Sequence, residues 1–127
     1  MKVAISGSRT FTDAALVESV VERLIDRGDT ILVGDASFGV DRFVRYWLID
    51  AGTPKDRWVE YEAHWRHEGK MDRGAGHRRN AEMVNDADEL VAIFAPGERT
   101  PGTRNALETA ERKGIPVHVY ENGEWLR

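Results

Sequence analysis

Small, hydroxyl-bearing and basic residues follow the first apolar run of the chain, residues 2–5. They are Ser6, Gly7, Ser8 and Arg9. A glycine lets a ligand approach the main chain, free N–H groups and hydroxyls can hold an anion, and an arginine adds positive charge. The segment is therefore a candidate phosphate-binding turn. Because it lacks the full G-x-G-x-x-G pattern of dinucleotide-binding folds, an ordinary glycine turn with an exposed arginine is the alternative.

A second glycine-containing turn follows the second apolar run, residues 30–33, and leads directly into a helical pattern. It contains Gly34, Asp35, Gly39 and Asp41. An acidic residue directly after a strand can accept hydrogen bonds from a ribose hydroxyl, which makes Asp35 a candidate ribose ligand. Asp41 is a second candidate for that role, and the alternative for Asp41 is to cap the helix that follows.

Two later helical patterns also begin with residues suited to anion binding. Arg79 and Asn80 open one of them, and Gly102 and Thr103 open the other. Arg79 lies about one helical turn before Met83, so burial of Met83 would direct Arg79 toward the sheet, whereas a surface salt bridge is the alternative. The free N–H groups and the dipole of a helix N-terminus would let Gly102 and Thr103 seat a phosphate.

The stretch from residue 64 to residue 79 concentrates positive charge. Its basic residues are Arg66, Lys70, Arg73, Arg78 and Arg79. Trp65, beside them, could stack on a base, although anchoring of a loop is the commoner role of such a tryptophan. The histidines of this stretch are His64, His67 and His77. No pair of them has the i, i+4 spacing of a helical zinc motif, so we expect no metal site.

Strands and helices must position these residues, and hydrophobic periodicity predicts both. Apolar or β-branched runs typical of buried parallel strands occupy residues 2–5, 30–33, 58–61, 89–94 and 116–120. Helical patterns fill the gaps at about residues 12–28, 41–52, 76–86 and 102–113. The alternation predicts an α/β fold, a Rossmann-like three-layer sandwich with a parallel sheet of about five strands. The candidate turns then share the carboxyl edge of the sheet, where such folds bind ligands. Residues 62–76 indicate a long loop or an interrupted helix.

Composition restricts the class of protein. With 127 residues, 41% hydrophobic and 31% charged, the chain is expected to form one globular domain over residues 1–127. Without cysteine it has no disulfide and no thiol nucleophile. No apolar run approaches the roughly 20 residues of a spanning helix, so we expect a cytoplasmic protein with no membrane partner. The net charge of -4 opposes a general attraction to phosphate backbones, so it argues against a nucleic-acid partner.

Together these motifs resemble the YspA/YpsA-related SLOG family. The matching segments are Ser6-Gly7-Ser8-Arg9, Gly34-Asp35-Ala36, Phe38-Gly39-Val40-Asp41, Ala63-His64-Trp65, Ala75-Gly76, Arg79-Asn80 with Met83, Gly102-Thr103 and Gly114-Ile115-Pro116-Val117. The resemblance implies a Rossmann-like fold that binds a nucleotide or nucleotide-derived ligand, in bacterial or phage proteins. The same superfamily includes LOG-type phosphoribohydrolases, which release a base from a nucleoside monophosphate, and DprA-type proteins, which bind single-stranded DNA.

The leading hypothesis is a sensor or carrier domain that holds a phosphate-bearing, nucleotide-derived small molecule at the carboxyl edge, with no further cofactor. The arginines would neutralise the phosphate, the glycines and hydroxyls would donate hydrogen bonds, and an aspartate would bind the ribose. On this hypothesis Arg79→Ala abolishes ligand binding and leaves the fold intact. We also expect a homo-oligomer, in which residues 58–65 or the Trp125-Leu126 tail supply the contact.

Two other functions stay open. Hydrolysis of LOG type is the alternative, but Arg104 and Asn105 stand where those enzymes carry paired glutamates, and Glu108 is the nearest acid. Because cleavage of the N-glycosidic bond needs a carboxylate at the ribose, we rank binding above hydrolysis. Single-stranded nucleic-acid binding ranks third. It would use Trp65, Arg66, Lys70 and Arg73.

Overall fold

The structure is a computed structural model that describes residues 1–67, 69–72 and 74–127. Glu68 and Arg73 lie outside the described residues, as does the side chain of His67. The prediction that Arg73 contributes to a basic nucleic-acid surface therefore concerns a residue whose position is not described. Within the described residues no helix combines the length and apolarity needed to cross a bilayer.

One six-stranded sheet forms the centre of the molecule. Its strands are β1 (Lys2–Gly7), β2 (Thr30–Gly34), β3 (Trp58–Tyr61), β6 (Glu89–Ile93), β7 (Val117–Glu121) and β8 (Glu124–Trp125), and a separate hairpin contains β4 (Arg66–His67) and β5 (Lys70–Met71). The order in the sheet is β3-β2-β1-β6-β7-β8, and all neighbours are parallel except β7 and β8. The five parallel strands lie where the apolar runs predict them, so the Rossmann-like prediction is confirmed.

Helices cover both faces of the sheet. They are α1 (Ala14–Asp26), α2 (Val40–Asp50), α3 (Ala75–Asn85) and α4 (Pro101–Lys113). Alternate residues of a strand face opposite sides, and β1 shows the consequence: Val3 and Ile5 pack with α1 and α2, whereas Ala4 packs with α3 and α4. The sequence therefore builds two hydrophobic cores, one on each face, and all four predicted helices are present.

Two parts of the chain differ from the sequence-based expectations. Residues 62–76 include the antiparallel hairpin of β4 and β5 rather than only a loop or an interrupted helix. The sheet also gains β8, which returns along β7 after a turn in which Asn122 and Gly123 both have positive φ, 52° and 83°. An Asn-Gly pair is the characteristic sequence of such a hairpin turn, so the signal for β8 was present in the sequence.

Candidate functional site

The turns that follow the parallel strands surround a polar pocket of about 290 Å³, which we call the edge pocket. Most of the predicted site residues line it. They are Ser6, Gly7, Arg9, Asp41, Arg79, Asn80, Gly102 and Thr103. The remaining predicted residues, Ser8, Gly34, Asp35 and Gly39, contact this lining from behind or beside it. The sequence prediction that these turns meet at one edge of the sheet therefore agrees with their placement, because β1 lies between β2 and β6.

Arg79 is the buried cation of the edge pocket, with 7% of the residue exposed. Its Nη1 donates to Asp35 Oδ1 at 2.6 Å, and its Nε donates to Asn80 Oδ1 at 2.7 Å. Asn80 in turn donates from Nδ2 to the carbonyl of Gly102 at 3.0 Å, which joins the first turns of α3 and α4. Arg79 thus faces the sheet, as predicted, and its ion pair with Asp35 is internal rather than on the surface.

Arg78, the neighbour of Arg79 in the chain, has a different environment. Its side chain is 63% exposed and forms an ion pair with Asp72. This arrangement agrees with the helical periodicity, which places the two arginines about 100° apart around α3. Arg78 therefore provides a matched surface control for every experiment on Arg79.

Two glycines allow close contacts of the main chain around the edge pocket. A Cβ on Gly34 would lie 2.6 Å from both Arg79 Nη1 and Asp41 Oδ2, so a larger residue there would displace these charged groups. Gly39 has a φ of 72°, and its Cβ would lie 2.2 Å from the carbonyl oxygen of Ser8. The two predicted turns are therefore packed directly against one another.

Asp41 is a buried carboxylate in the first turn of α2. Gly39 occupies the N-cap position, so the alternative in which Asp41 only caps the helix is wrong. The carboxylate instead turns into the edge pocket and accepts a hydrogen bond from the Ala36 N–H at 3.3 Å. Burial raises the pKa of Asp41 above its ordinary value, and the attraction of the nearby Arg79 guanidinium opposes that shift.

Arg45 supports the second turn and was missed in the sequence analysis. It donates from Nη1 to the carbonyl of Gly34 at 2.7 Å and from Nη2 to the carbonyl of Ala36 at 2.8 Å. The available signal was its position one helical turn after Asp41, on the same side of α2. Arg45 thus fixes the loop that presents Asp35 and Asp41 to the edge pocket.

The hydroxyl groups mainly connect the turns to one another. Ser6 Oγ donates to Thr103 Oγ1 at 3.4 Å across the pocket floor. Ser8 Oγ accepts from the Ala95 N–H at 3.0 Å and lies 3.4 Å from Thr100 Oγ1. Ser8 is fully buried, so its hydroxyl positions the loop after β6. Thr100 itself lines the edge pocket and was not predicted.

Aromatic and arginine side chains form the mouth of the edge pocket. The Arg9 guanidinium carbon lies 5.3 Å from the centre of the Trp65 ring, and Trp65 packs against the main chain of Gly76. Beyond this pair lies an open groove of about 360 Å³, the rim groove, whose walls include Phe38 and Met71. Both side chains are strongly exposed, Phe38 to 62% and Met71 to 55%.

The carboxylate expected of a LOG-type hydrolase is not supplied by α4. Glu108 is exposed on that helix and is not among the residues that line the edge pocket. Among the described lining residues, Asp41 is the carboxylate, and Asp35 forms an ion pair with the lining residue Arg79. The chemistry of the site is therefore that of anion and hydroxyl binding: two arginines, two aspartates, and the N–H groups at the start of α4.

Comparison with known proteins finds relatives both in sequence and in fold. The gene 61 protein of Mycobacterium phage D29 is 30% identical over 124 residues, which cover 91% of this chain and 93% of that protein. No protein-family model matches the chain. In fold, the chain is similar to a structure described as showing the single-stranded DNA binding mode of DNA processing protein A from Helicobacter pylori. The TM-score is 0.68 at 17% identity over 94% of this chain, which spans 64% of the length of that one.

These comparisons confirm one expectation and overturn another. The similarity to the structure of DNA processing protein A confirms the Rossmann-like fold that the sequence predicts. The expectation that nucleic acid is not a partner is wrong as a deduction from the net charge, because a protein of this fold binds single-stranded DNA. The physical reason is that the field at a binding edge is set by nearby side chains, such as Arg9 and Arg79, more than by the total charge of the chain.

Proposed function

This chain belongs to the same family as the gene 61 protein of Mycobacterium phage D29, and we propose that it binds single-stranded nucleic acid at the carboxyl edge of its sheet. The observation that carries the proposal is the pair of adjoining cavities, the edge pocket and the rim groove, which share Arg9, Ala36 and Trp65. At about 290 Å³ the edge pocket lies at the lower limit of small-molecule pockets, roughly 300–1,000 Å³. We therefore assign at most one nucleotide unit of the strand to the edge pocket.

The rim groove provides a surface on which a base can stack. Phe38 and Met71 line the rim groove and are strongly exposed, and Trp65 lines both the rim groove and the edge pocket. Stacking on aromatic side chains is tolerant of sequence because every base has a π-face. The exposed Arg66 and Lys70 of the β4–β5 hairpin can pair with phosphates of neighbouring nucleotides. A strand would use the pocket, the groove and the hairpin together, which a single nucleotide does not.

The fold supports the same partner class. DNA processing protein A from Helicobacter pylori shares the fold and is described by its single-stranded DNA binding. We further propose that residues 1–127 form one SLOG domain of the YspA-related branch, on the basis of the turns that meet at the edge pocket. The cytoplasmic location and the homo-oligomeric state stay predictions of the sequence.

Fluorescence anisotropy with labelled oligo-dT and oligo-rU tests the proposal. We expect binding at about 50 mM salt that weakens at about 200 mM, since phosphate contacts release counterions. Phe38→Ser should weaken binding about 5- to 150-fold, because stacking of one base contributes about 1–3 kcal/mol. The matched control is Ile49→Ser, since Ile49 is exposed to 60% and lies outside both cavities.

Two results would contradict the proposal. One is an affinity that does not change between low and high salt, because phosphate contacts of Arg9, Arg66 and Lys70 require a salt dependence. The other is an equal effect of Phe38→Ser and Ile49→Ser, which would remove the rim groove from the binding surface.

A free nucleotide-derived ligand is the second candidate, and the charged and hydroxyl-bearing lining of the edge pocket favours it. Arg79 can neutralise a phosphate there, and Asp41 can accept hydrogen bonds from ribose hydroxyls. Thermal unfolding with nucleoside mono-, di- and triphosphates, ADP-ribose, NAD and cyclic nucleotides tests it. A ligand at 100 times its Kd should add about 2.7 kcal/mol to the free energy of unfolding.

Turnover is measured in the same samples. Release of free base from a nucleoside monophosphate, abolished by Asp41→Asn, would assign the LOG-type hydrolysis and make Asp41 its carboxylate. Selective stabilisation without base release would assign binding alone. A ligand that stabilises wild type and Phe38→Ser equally would be seated in the edge pocket and not in the rim groove.

A further inference from the structure

Helix α2 carries exposed apolar side chains in addition to those that it buries in the core. Its buried apolar residues are Val40, Val44 and Leu48. Phe43 and Trp47 are partly buried, and Tyr46 and Ile49 are 52% and 60% exposed. A helix that only covers one face of a sheet needs a single apolar stripe, with polar residues on the opposite side. The outer face of α2 is therefore more apolar than its place in the fold requires, which is typical of an interaction surface.

The apolar outer face borders a groove of about 500 Å³ between α1 and α2, the helix groove. Its walls include the aromatic rings of Phe43, Tyr46 and Trp47. Among the described residues that line it, the charged ones are Glu18 from α1 and Asp50 from α2, both exposed carboxylates, and there is no basic lining residue. Rings and carboxylates together have the chemistry that recognises an organic cation.

A cation already lies on one of these rings. The Arg42 guanidinium carbon is 4.9 Å from the centre of the Tyr46 ring. Tyr46 is nevertheless half exposed, so part of its ring is available to a partner. We propose that the helix groove binds a basic segment of a partner protein, with an arginine or lysine side chain against the aromatic rings and between Glu18 and Asp50.

Charge complementarity selects this occupant. An apolar partner would bury the two carboxylates without a counter-charge, which is energetically costly, and a nucleic acid would be repelled by them. A cationic side chain satisfies the rings and the carboxylates at once. The helix groove shares no described lining residue with the edge pocket or the rim groove, so this inference is independent of the proposed function.

The test is an NMR titration of the ¹⁵N-labelled full chain with a short acetylated and amidated peptide of alternating alanine and arginine. The expected result is a saturable set of amide shifts confined to the residues around the helix groove. The matched probe replaces every arginine of the peptide by glutamate and should cause no such shifts. Shifts at other surfaces, an equal response to the glutamate peptide, or no shifts with the arginine peptide would each overturn the proposal.

Variants assign the contact to individual groups. Removing both carboxylates with Glu18→Gln and Asp50→Asn should weaken binding of the arginine peptide by about threefold or more. Tyr46→Ser should weaken binding of the same peptide by about two- to fivefold. Glu22→Gln, an exposed α1 carboxylate outside the groove, should leave the affinity unchanged. All these side chains are exposed, so thermal unfolding should show that each variant folds. Self-association that Tyr46→Ser abolishes would assign the face to a second copy and overturn the proposal.

Discussion

Replacing Arg79 by methionine should destabilise the fold strongly. The substitution keeps a long apolar stem but removes the guanidinium that bonds Asp35 at 2.6 Å and Asn80 at 2.7 Å. Breaking a buried ion pair from one side costs about 3–5 kcal/mol, since the other charge stays behind without a partner. The side chain of Asp35 is 22% exposed and can regain some water, so we expect a loss near the lower limit, about 3 kcal/mol.

Unfolding experiments convert this value into observable changes. For a domain of this size a loss of about 3 kcal/mol lowers Tm by about 10 °C. The control, Arg78→Met, removes a side chain that is 63% exposed and should cost at most about 1 kcal/mol. This expectation replaces the sequence-based one, in which the loss of Arg79 abolishes binding without affecting the fold.

A double-mutant cycle isolates the ion pair itself. Adding Asp35→Asn to Arg79→Met removes the stranded carboxylate and should restore about 2 kcal/mol of the loss. Urea denaturation followed by circular dichroism gives the free energy of unfolding for all four proteins of the cycle. A coupling energy below about 0.5 kcal/mol, or a cost of Arg79→Met no larger than that of Arg78→Met, would refute the reasoning.

Three other predictions follow from the same region and its supports. Gly39→Ala should lower Tm far more than Gly52→Ala. Both glycines have positive φ, but only the Cβ at residue 39 would clash, 2.2 Å from a carbonyl oxygen. Equal Tm values for the two variants would contradict this packing. Burial raises the pKa of Asp41, so the folded state holds a proton on this carboxyl over a pH range in which the unfolded state has lost it. The stability of the wild type relative to Asp41→Asn should therefore fall as pH rises from the ordinary pKa of the carboxyl through its raised pKa. A constant difference in chemical denaturation between about pH 4 and 8 would contradict this expectation. Lys113→Met should lower the free energy of unfolding by about 1 kcal/mol, because Lys113 Nζ donates to the carbonyls of Val84 and Ala87 at the end of α3. An unchanged midpoint of urea denaturation would contradict this role of Lys113 as a C-terminal cap.

The fold follows closely from the sequence. The five parallel strands were predicted from apolar runs and the four helices from apolar stripes, and the elements lie within a few residues of those patterns. Both signals are local, because they depend on whether successive side chains face the core with the period of a strand or of a helix. The β4–β5 hairpin was not predicted, since strands of two residues carry no periodicity.

The candidate site was predictable as a set of positions and not as a set of contacts. Small, hydroxyl and charged residues directly after strands indicated the carboxyl edge, and helical spacing indicated that Arg79 faces inward. Its partner Asp35 lies 44 positions away in the chain, and no spacing rule connects them. The same holds for the contact between Arg9 and Trp65 at the pocket mouth.

The sequence by itself thus determined the order of strands and helices along the chain, the edge of the sheet at which the candidate residues gather, and the inward direction of Arg79. Only the tertiary structure decided which of these side chains meet: that Asp41 turns into the edge pocket rather than capping α2, and that Phe38 stands exposed beside Trp65. The physical reason is that periodicity fixes the direction of a side chain relative to its own element. Distances between elements depend instead on sheet order and on the packing of loops from distant parts of the chain.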